Sequence, residues 1–151
     1  MDHWCFNNLR VDGPIHEIAR FKKQAWGILP WPEFKRDNPM QELSFHSLVP
    51  VPAEILAAGY KPEGERWAFD HWGCLSGAHR VDSLDPRDEV VIYRFWTQLS
   101  PAILFVEEVS RRWPELVFEF DYRDTDPHDG YWGFVTLRAG NVQKEYTEDL
   151  A

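Results

Sequence analysis

The sequence predicts an α+β domain built on an antiparallel sheet, and three observations carry that prediction. Trp4 to Ala25 reads as a strand, a Gly-Pro turn and an amphipathic helix with almost no connector. Val90 to Tyr122 reads as a second strand–helix–strand unit. Tyr131 to Tyr146 closes the chain with two more strand-like stretches joined by Ala139-Gly140-Asn141.

Each element has a local reason. Cys5, Asn7, Leu9 and Val11 alternate with Phe6, Asn8 and Arg10, the period-two pattern of a strand with one buried face. Asp12-Gly13 ends that strand, and Pro14 suits the first helical position, where its missing N–H is no loss. Ile15, Ile18, Phe21 and Ala25 then share one helical face. The Pro-punctuated stretch Ile28 to Met40 predicts an irregular loop. Ser44 to Val49 predicts a short strand, and Pro52 to Ala58, closed by Gly59, a short helix. Tyr60 to Glu89 is aromatic-rich and weakly periodic, the pattern of an insertion. Within it, KPEGE predicts a turn, Trp67 to Ala78 a strand broken by Gly73 and Gly77, and Val81 to Glu89 a polar loop.

Val90 to Thr97 is β-branched and apolar, a buried strand. Ser100-Pro101 predicts a Ser-capped helix whose inner face is Ala102, Phe105, Val106, Val109 and Trp113. Glu107 and Glu108 precede Arg111 and Arg112 by one turn, and Pro114 ends the helix. Leu116, Phe118, Phe120 and Tyr122 alternate with polar positions as a half-buried strand. Tyr131 to Leu137 and Val142 to Tyr146 form the final hairpin, with Glu148-Asp149 as a frayed tail. Strand–helix–strand, insertion, strand–helix–strand is the split βαβ order of ferredoxin-like folds, with both helices on one face of the sheet. The expected architecture is therefore one domain over 1–151, a ferredoxin-like sandwich with an insertion at about 60–89 and an extra C-terminal hairpin.

Composition narrows the function. The 151 residues suit a single domain, and 44% hydrophobic residues with eight Trp argue against disorder. Sixteen Lys and Arg against 25 Asp and Glu leave a net charge of -9, which opposes phosphate neutralisation and so nucleic-acid binding. No apolar run approaches a membrane span, and no secretory leader is expected from the residues before Trp4. Cys5 and Cys74 lie far apart and do not read as a disulfide framework, so a reduced, cytoplasmic setting is expected.

The residues also resemble a family. Trp4-Cys5-x-Asn7-x-Leu9-x-Val11-x-Gly13, running into Ile18-Ala19-Arg20-Phe21-Lys22, is similar to the start of the YubB-type ferredoxin-like family of phage- and plasmid-borne proteins. Ser44-Phe45, Leu48-Val49-Pro50-Val51-Pro52, His71-Trp72-Gly73, Phe95-x-Thr97-x-x-Ser100-Pro101 and Pro114-Glu115-Leu116-x-Phe118 add patches along the chain. Members usually carry Asn-Trp-Gly followed by Thr-Lys-Trp, whereas here His71-Trp72-Gly73 leads into Cys74-Leu75-Ser76. The resemblance implies the fold and a mobile-element origin, with a bacterial host, and no activity.

Few constellations carry chemistry. His71-x-x-Cys74-x4-His79, with His3-x-Cys5, is the nearest set to a metal site, but its spacing matches no standard zinc module. Asp124 to Gly130 is rich in calcium-type ligands, yet its spacing fails an EF-hand and fits an acidic hairpin turn. His46, His71 and His79 with Asp70 and Asp82 have the chemistry of an acid–base site without a recognised motif. Trp96, Phe118, Phe120 and Trp132 have the look of a base-stacking sheet face, for which core packing is the simpler account. Asn7, His71 and Trp72 are the candidates for a binding surface. The expected function is that of a non-enzymatic accessory protein of a phage, prophage or plasmid that binds a protein partner and uses no cofactor. The alternatives are a metal-binding or metal-dependent protein centred on His71, Cys74 and His79, and a nucleic-acid-binding domain.

Overall fold

The computed structural model describes residues 3–35, 40–126, 128 and 130–149. Its centre is a six-stranded sheet in the order β2-β3-β1-β4-β5-β6, with every neighbouring pair antiparallel. The strands are β1 (Trp4–Asp12), β2 (Leu75–Arg87), β3 (Val90–Gln98), β4 (Val117–Asp124), β5 (Tyr131–Arg138) and β6 (Asn141–Asp149). The helices are α1 (Ile15–Ala25), α2 (Pro32–Lys35), α3 (Phe45–Leu48), α4 (Ala53–Ala58), α5 (Glu65–Trp72) and α6 (Ile103–Arg112).

Register turns the alternation of β1 into two faces. On one, Leu9 lies between Tyr93 and Phe120, and Val11 between Val91 and Phe118, all buried. Phe21 of α1 packs on Tyr93 and Phe118 and meets Trp113, just beyond α6, edge-on at 5.0 Å. Phe105 of α6 stacks at 3.7 Å on Phe45, which in turn meets Phe95 of β3. Ala102, Phe105, Val106, Val109 and Trp113 are buried as their spacing predicts, whereas Ile15 is 50% exposed. The first turn of α1 overhangs the core.

The middle of the chain departs most from its expected elements. Ser44 to Val49 is not a strand: Ser44 accepts from the Ser47 N–H and caps α3, burying Phe45 and Leu48. Trp67 to Ala78 does not form one broken strand either. Ala68 and Trp72 sit one turn apart on the buried side of α5, and Gly73, at φ +82°, ends that helix in the left-handed region. The polar stretch Val81 to Arg87 belongs to the more exposed end of β2, an edge strand. Ser76 and Arg80 at positive φ and shifts of register explain why β2 lacks strand periodicity. Tyr60 to Glu89 thus supplies Tyr60, Ala68, Trp72, Cys74 and Ala78 to the core and an edge to the sheet. The expected loop at Ile28 to Met40 contains α2, while its residues 36–39 lie outside the described ones. Ser100 does not cap α6; its hydroxyl donates to the Gly73 carbonyl. Glu148 and Asp149 pair with Trp132 and Tyr131 rather than fraying.

Candidate functional site

The covered face changes character along β1. Its apolar rows, Val91–Val11–Phe118–Leu137 and Tyr93–Leu9–Phe120–Val135, give way to Phe95–Asn7–Tyr122–Gly133 and then Thr97–Cys5–Asp124–Tyr131. One end of the buried face is therefore polar.

Asn7 is fully buried and saturated there. Its amide donates to Thr97 Oγ1 at 2.9 Å and to the Cys5 carbonyl at 3.2 Å, and its Oδ1 accepts from Ala102 N at 3.3 Å. A strand residue thus takes the capping role at α6 expected of Ser100, because a buried amide needs partners and the first helical N–H groups lack them. Asn7 is a structural joint, not a binding surface. Gly133 is required opposite Tyr122, whose hydroxyl lies 2.5 Å from where a Cβ would stand.

The last polar row meets His3. His3 Nε2 lies 2.8 Å from Asp124 Oδ1, and His3 Nδ1 lies 3.6 Å from Asp126 Oδ2. Cys5 is buried in register with Asp124. Burial first, then the Asp124 charge and the hydrogen bond to it, pushes the Cys5 thiol up to about 12, which holds it protonated in the metal-free chain. Burial, with Cys5 and Asp124 adding to it, likewise pushes the Tyr131 hydroxyl up to about 12. Asp124 Oδ1 also accepts from the Asp126 N–H, and Asp126 Oδ1 from the His128 N–H, folding the acidic turn back on itself. Pro127 and Asp129 of that turn lie outside the described residues.

The set expected around His71, Cys74 and His79 does not assemble. His71 is exposed on α5, stacked on Trp67 with Nδ1 at 2.9 Å from the Trp67 carbonyl oxygen. Cys74 is fully buried, and its thiol is pushed up by desolvation. His79 pairs with Ser76 Oγ at 2.6 Å, and burial lowers it to about 4. Trp72 is fully buried and donates to the Val49 carbonyl, so it is no surface residue. The acid–base grouping disperses in the same way: His46 Nδ1 accepts from Val51 N, and Asp82 pairs with Arg94. Among the described residues, the group of His, Cys and acidic side chains close enough to share an ion is His3, Cys5 and Asp124, with ligand atoms all within 4.8 Å. The one-dimensional pattern pairs His3 with Cys5, but nothing in it joins them to Asp124, which is 121 residues from His3.

The opposite face of the sheet is only partly buried. Across it run Trp96–Phe6–Arg123–Trp132 and Arg94–Asn8–Asp121–Phe134. Phe6 meets Trp96 edge-on at 5.3 Å, and Trp132 meets Tyr146 of β6 at 5.4 Å. Phe6, Trp96, Asp121, Arg123, Thr125 and Trp132 contribute to the lining of a shallow pocket. Asp121 Oδ1 is buried and has no hydrogen-bond partner among the described residues. Of the four aromatics with a stacking-face look, Trp96 and Trp132 are on this open face, whereas Phe118 and Phe120 are core.

The fold is similar to the crystal structure of the protein api92 from Yersinia pseudotuberculosis, described under the family model DUF1281. The TM-score is 0.74, with 98% of each chain covered at 9% identity. At that identity the likeness concerns the fold alone. No protein-family model matches the sequence, and no curated protein matches it.

Proposed function

We propose that the chain is a non-enzymatic binding module whose recognition surface is the open face of the sheet and whose partner is a protein presenting a basic side chain. The carrying observation is Asp121, which lines a pocket with Phe6, Trp96, Arg123 and Trp132 and whose buried Oδ1 has no hydrogen-bond partner among the described residues. A buried acceptor without a donor is costly, and a cation seated against aromatic rings satisfies it twice, by hydrogen bond and by cation–π attraction. The net charge of -9 favours the approach of a basic partner.

Nucleic-acid binding is the weaker reading of the same face. Arg94 is paired with Asp82, and Arg10 with Asp12 and Glu119, so these two guanidiniums are already neutralised, and Arg123 is the arginine that lines the pocket beside Asp121. Asp121 would repel a phosphate in the pocket.

The strand order β2-β3-β1-β4, with α1 and α6 on one face, supports a ferredoxin-like split βαβ core. The YubB-type patches, beginning at Trp4 to Gly13, support an accessory role in a phage or plasmid. The buried free thiols of Cys5 and Cys74 are compatible with a cytoplasmic setting.

Tryptophan fluorescence tests the proposal. Titration with an Arg/Lys-rich peptide should give saturable quenching that an acidic peptide of equal length does not. Asp121→Asn and Trp132→Ala should each weaken binding about tenfold, equivalent to about 1.4 kcal/mol. Equal responses to both peptides, or unaltered affinity in both variants, would sink it.

A further inference from the structure

The polar end of the covered face carries a second inference, independent of the open face. We propose that His3, Cys5 and Asp124 form a binding site for a zinc-type divalent transition-metal ion, with Asp126 orienting His3.

The donor chemistry selects the class of ion. One imidazole, one thiol and one carboxylate are the mixed N/S/O set that zinc accepts, whereas calcium and magnesium want oxygen ligands. The geometry is close to what such an ion needs. Metal–ligand distances of about 2.0–2.3 Å on a tetrahedron place donor atoms roughly 3.3–3.7 Å apart. Here all three donors lie within 4.8 Å of one another, and His3 Nε2 is 2.8 Å from Asp124 Oδ1. An ion entering between them requires shifts on the order of an ångström, which His3 can supply because its side chain retains 27% exposure.

A second observation points the same way. Metal-bound imidazoles commonly donate their other nitrogen to a carboxylate, which fixes the ring and strengthens the ligand. His3 Nδ1 faces Asp126 Oδ2 at 3.6 Å while Nε2 faces the Cys5–Asp124 pair. Backbone register supplies the rigidity: Cys5 and Asp124 are direct cross-strand partners on β1 and β4. Three protein ligands leave a fourth position for water or a partner's group. Binding converts the Cys5 S–H to a sulfur–metal bond and releases its proton to solvent.

Cobalt(II) serves as the probe, because a thiolate–cobalt bond absorbs in the near ultraviolet. The full chain, purified without a histidine tag, should bind one equivalent of cobalt with this band, and zinc should abolish it. His3→Ala, on a partly exposed side chain, should weaken binding on the order of 100-fold or more, and Asp126→Asn roughly tenfold. Cys74→Ala should keep the band. Wild-type protein without a sulfur–cobalt band at one equivalent overturns the site, as does a band lost with Cys74 rather than Cys5, or His3→Ala binding as tightly as wild type.

Discussion

The two faces of the sheet are made of alternate residues of the same strands, yet they do opposite work. On β1, Cys5, Asn7, Leu9 and Val11 are fully buried, whereas Phe6, Asn8 and Arg10 are half-buried. The covered face satisfies every polar atom of Asn7 and closes its aromatic rings against helices. The open face leaves rings half-exposed and one carboxylate oxygen of Asp121 without a hydrogen-bond partner among the described residues. Unspent interaction capacity is what a recognition surface needs; on the open face it sits among half-exposed rings, whereas Trp31 Nε1 and the Tyr60 hydroxyl, also without a hydrogen-bond partner among the described residues, are sealed in the core.

The largest expected effect separates the faces by stability. Phe118→Ala, on the covered face, should cost about 3–5 kcal/mol in urea unfolding, by lost burial plus a cavity. Phe134→Ala, one strand away on the open face, should cost about 1 kcal/mol. Equal losses would mean that the open face is packed in solution.

His79 sharpens the boundary between the faces. Its ring meets Trp4, which shares the parity of Phe6, and Phe34, which packs on core Tyr60. Its value falls from 6.5 to about 4 in the folded chain because burial disfavours the imidazolium. The unfolded chain therefore binds more protons between these values. The stabilisation is complete above pH 6.5 and is lost as pH falls toward 4, by at most about 3 kcal/mol. His79→Gln should flatten that part of the pH–stability curve, and an unchanged slope would assign it to other groups.

The smallest of the three effects probes the polar end of the covered face. Asn7→Ala should cost about 2 kcal/mol, because it strips Ala102 N and Thr97 Oγ1 of a buried partner. Amide exchange at the first turn of α6 should rise more than exchange in β5. Uniform acceleration across the sheet would show that Asn7 supports packing in general rather than that helix end.

Much of the fold was legible because it repeats a short period. The β1 alternation, the inner face of α6 and the Leu116-to-Tyr122 pattern each contain their own evidence, since burial on one side imposes period two or 3.6. The middle of the chain resisted. Ser44-Phe45-His46-Ser47-Leu48 is too short for periodicity to separate one helical turn from a strand. The Ser44 cap decides it through a bond three residues away. An edge strand such as β2 needs no apolar alternation, so Val81 to Arg87 looks like loop until Val90–Gln98 is placed beside it. Gly73 reads equally as a strand breaker and as a helix stop, and only its left-handed φ after Trp72 distinguishes them.

The candidate sites divide along the same line. Chain composition alone determined an acidic, aromatic-rich sequence with few metal-like spacings, and local patterning determined most strands and both long helices. Tertiary structure decided which residues meet. It buried Asn7 and Trp72, left His71 against Trp67 on α5 and apart from Cys74 and His79, and brought His3 and Cys5 to Asp124 across 121 and 119 residues of chain. It also placed Phe6, Trp96, Asp121 and Trp132 around one pocket. Periodicity reports only which side of an element is wet or dry. A site is a set of distances, and those are set by strand register between segments that the sequence keeps far apart.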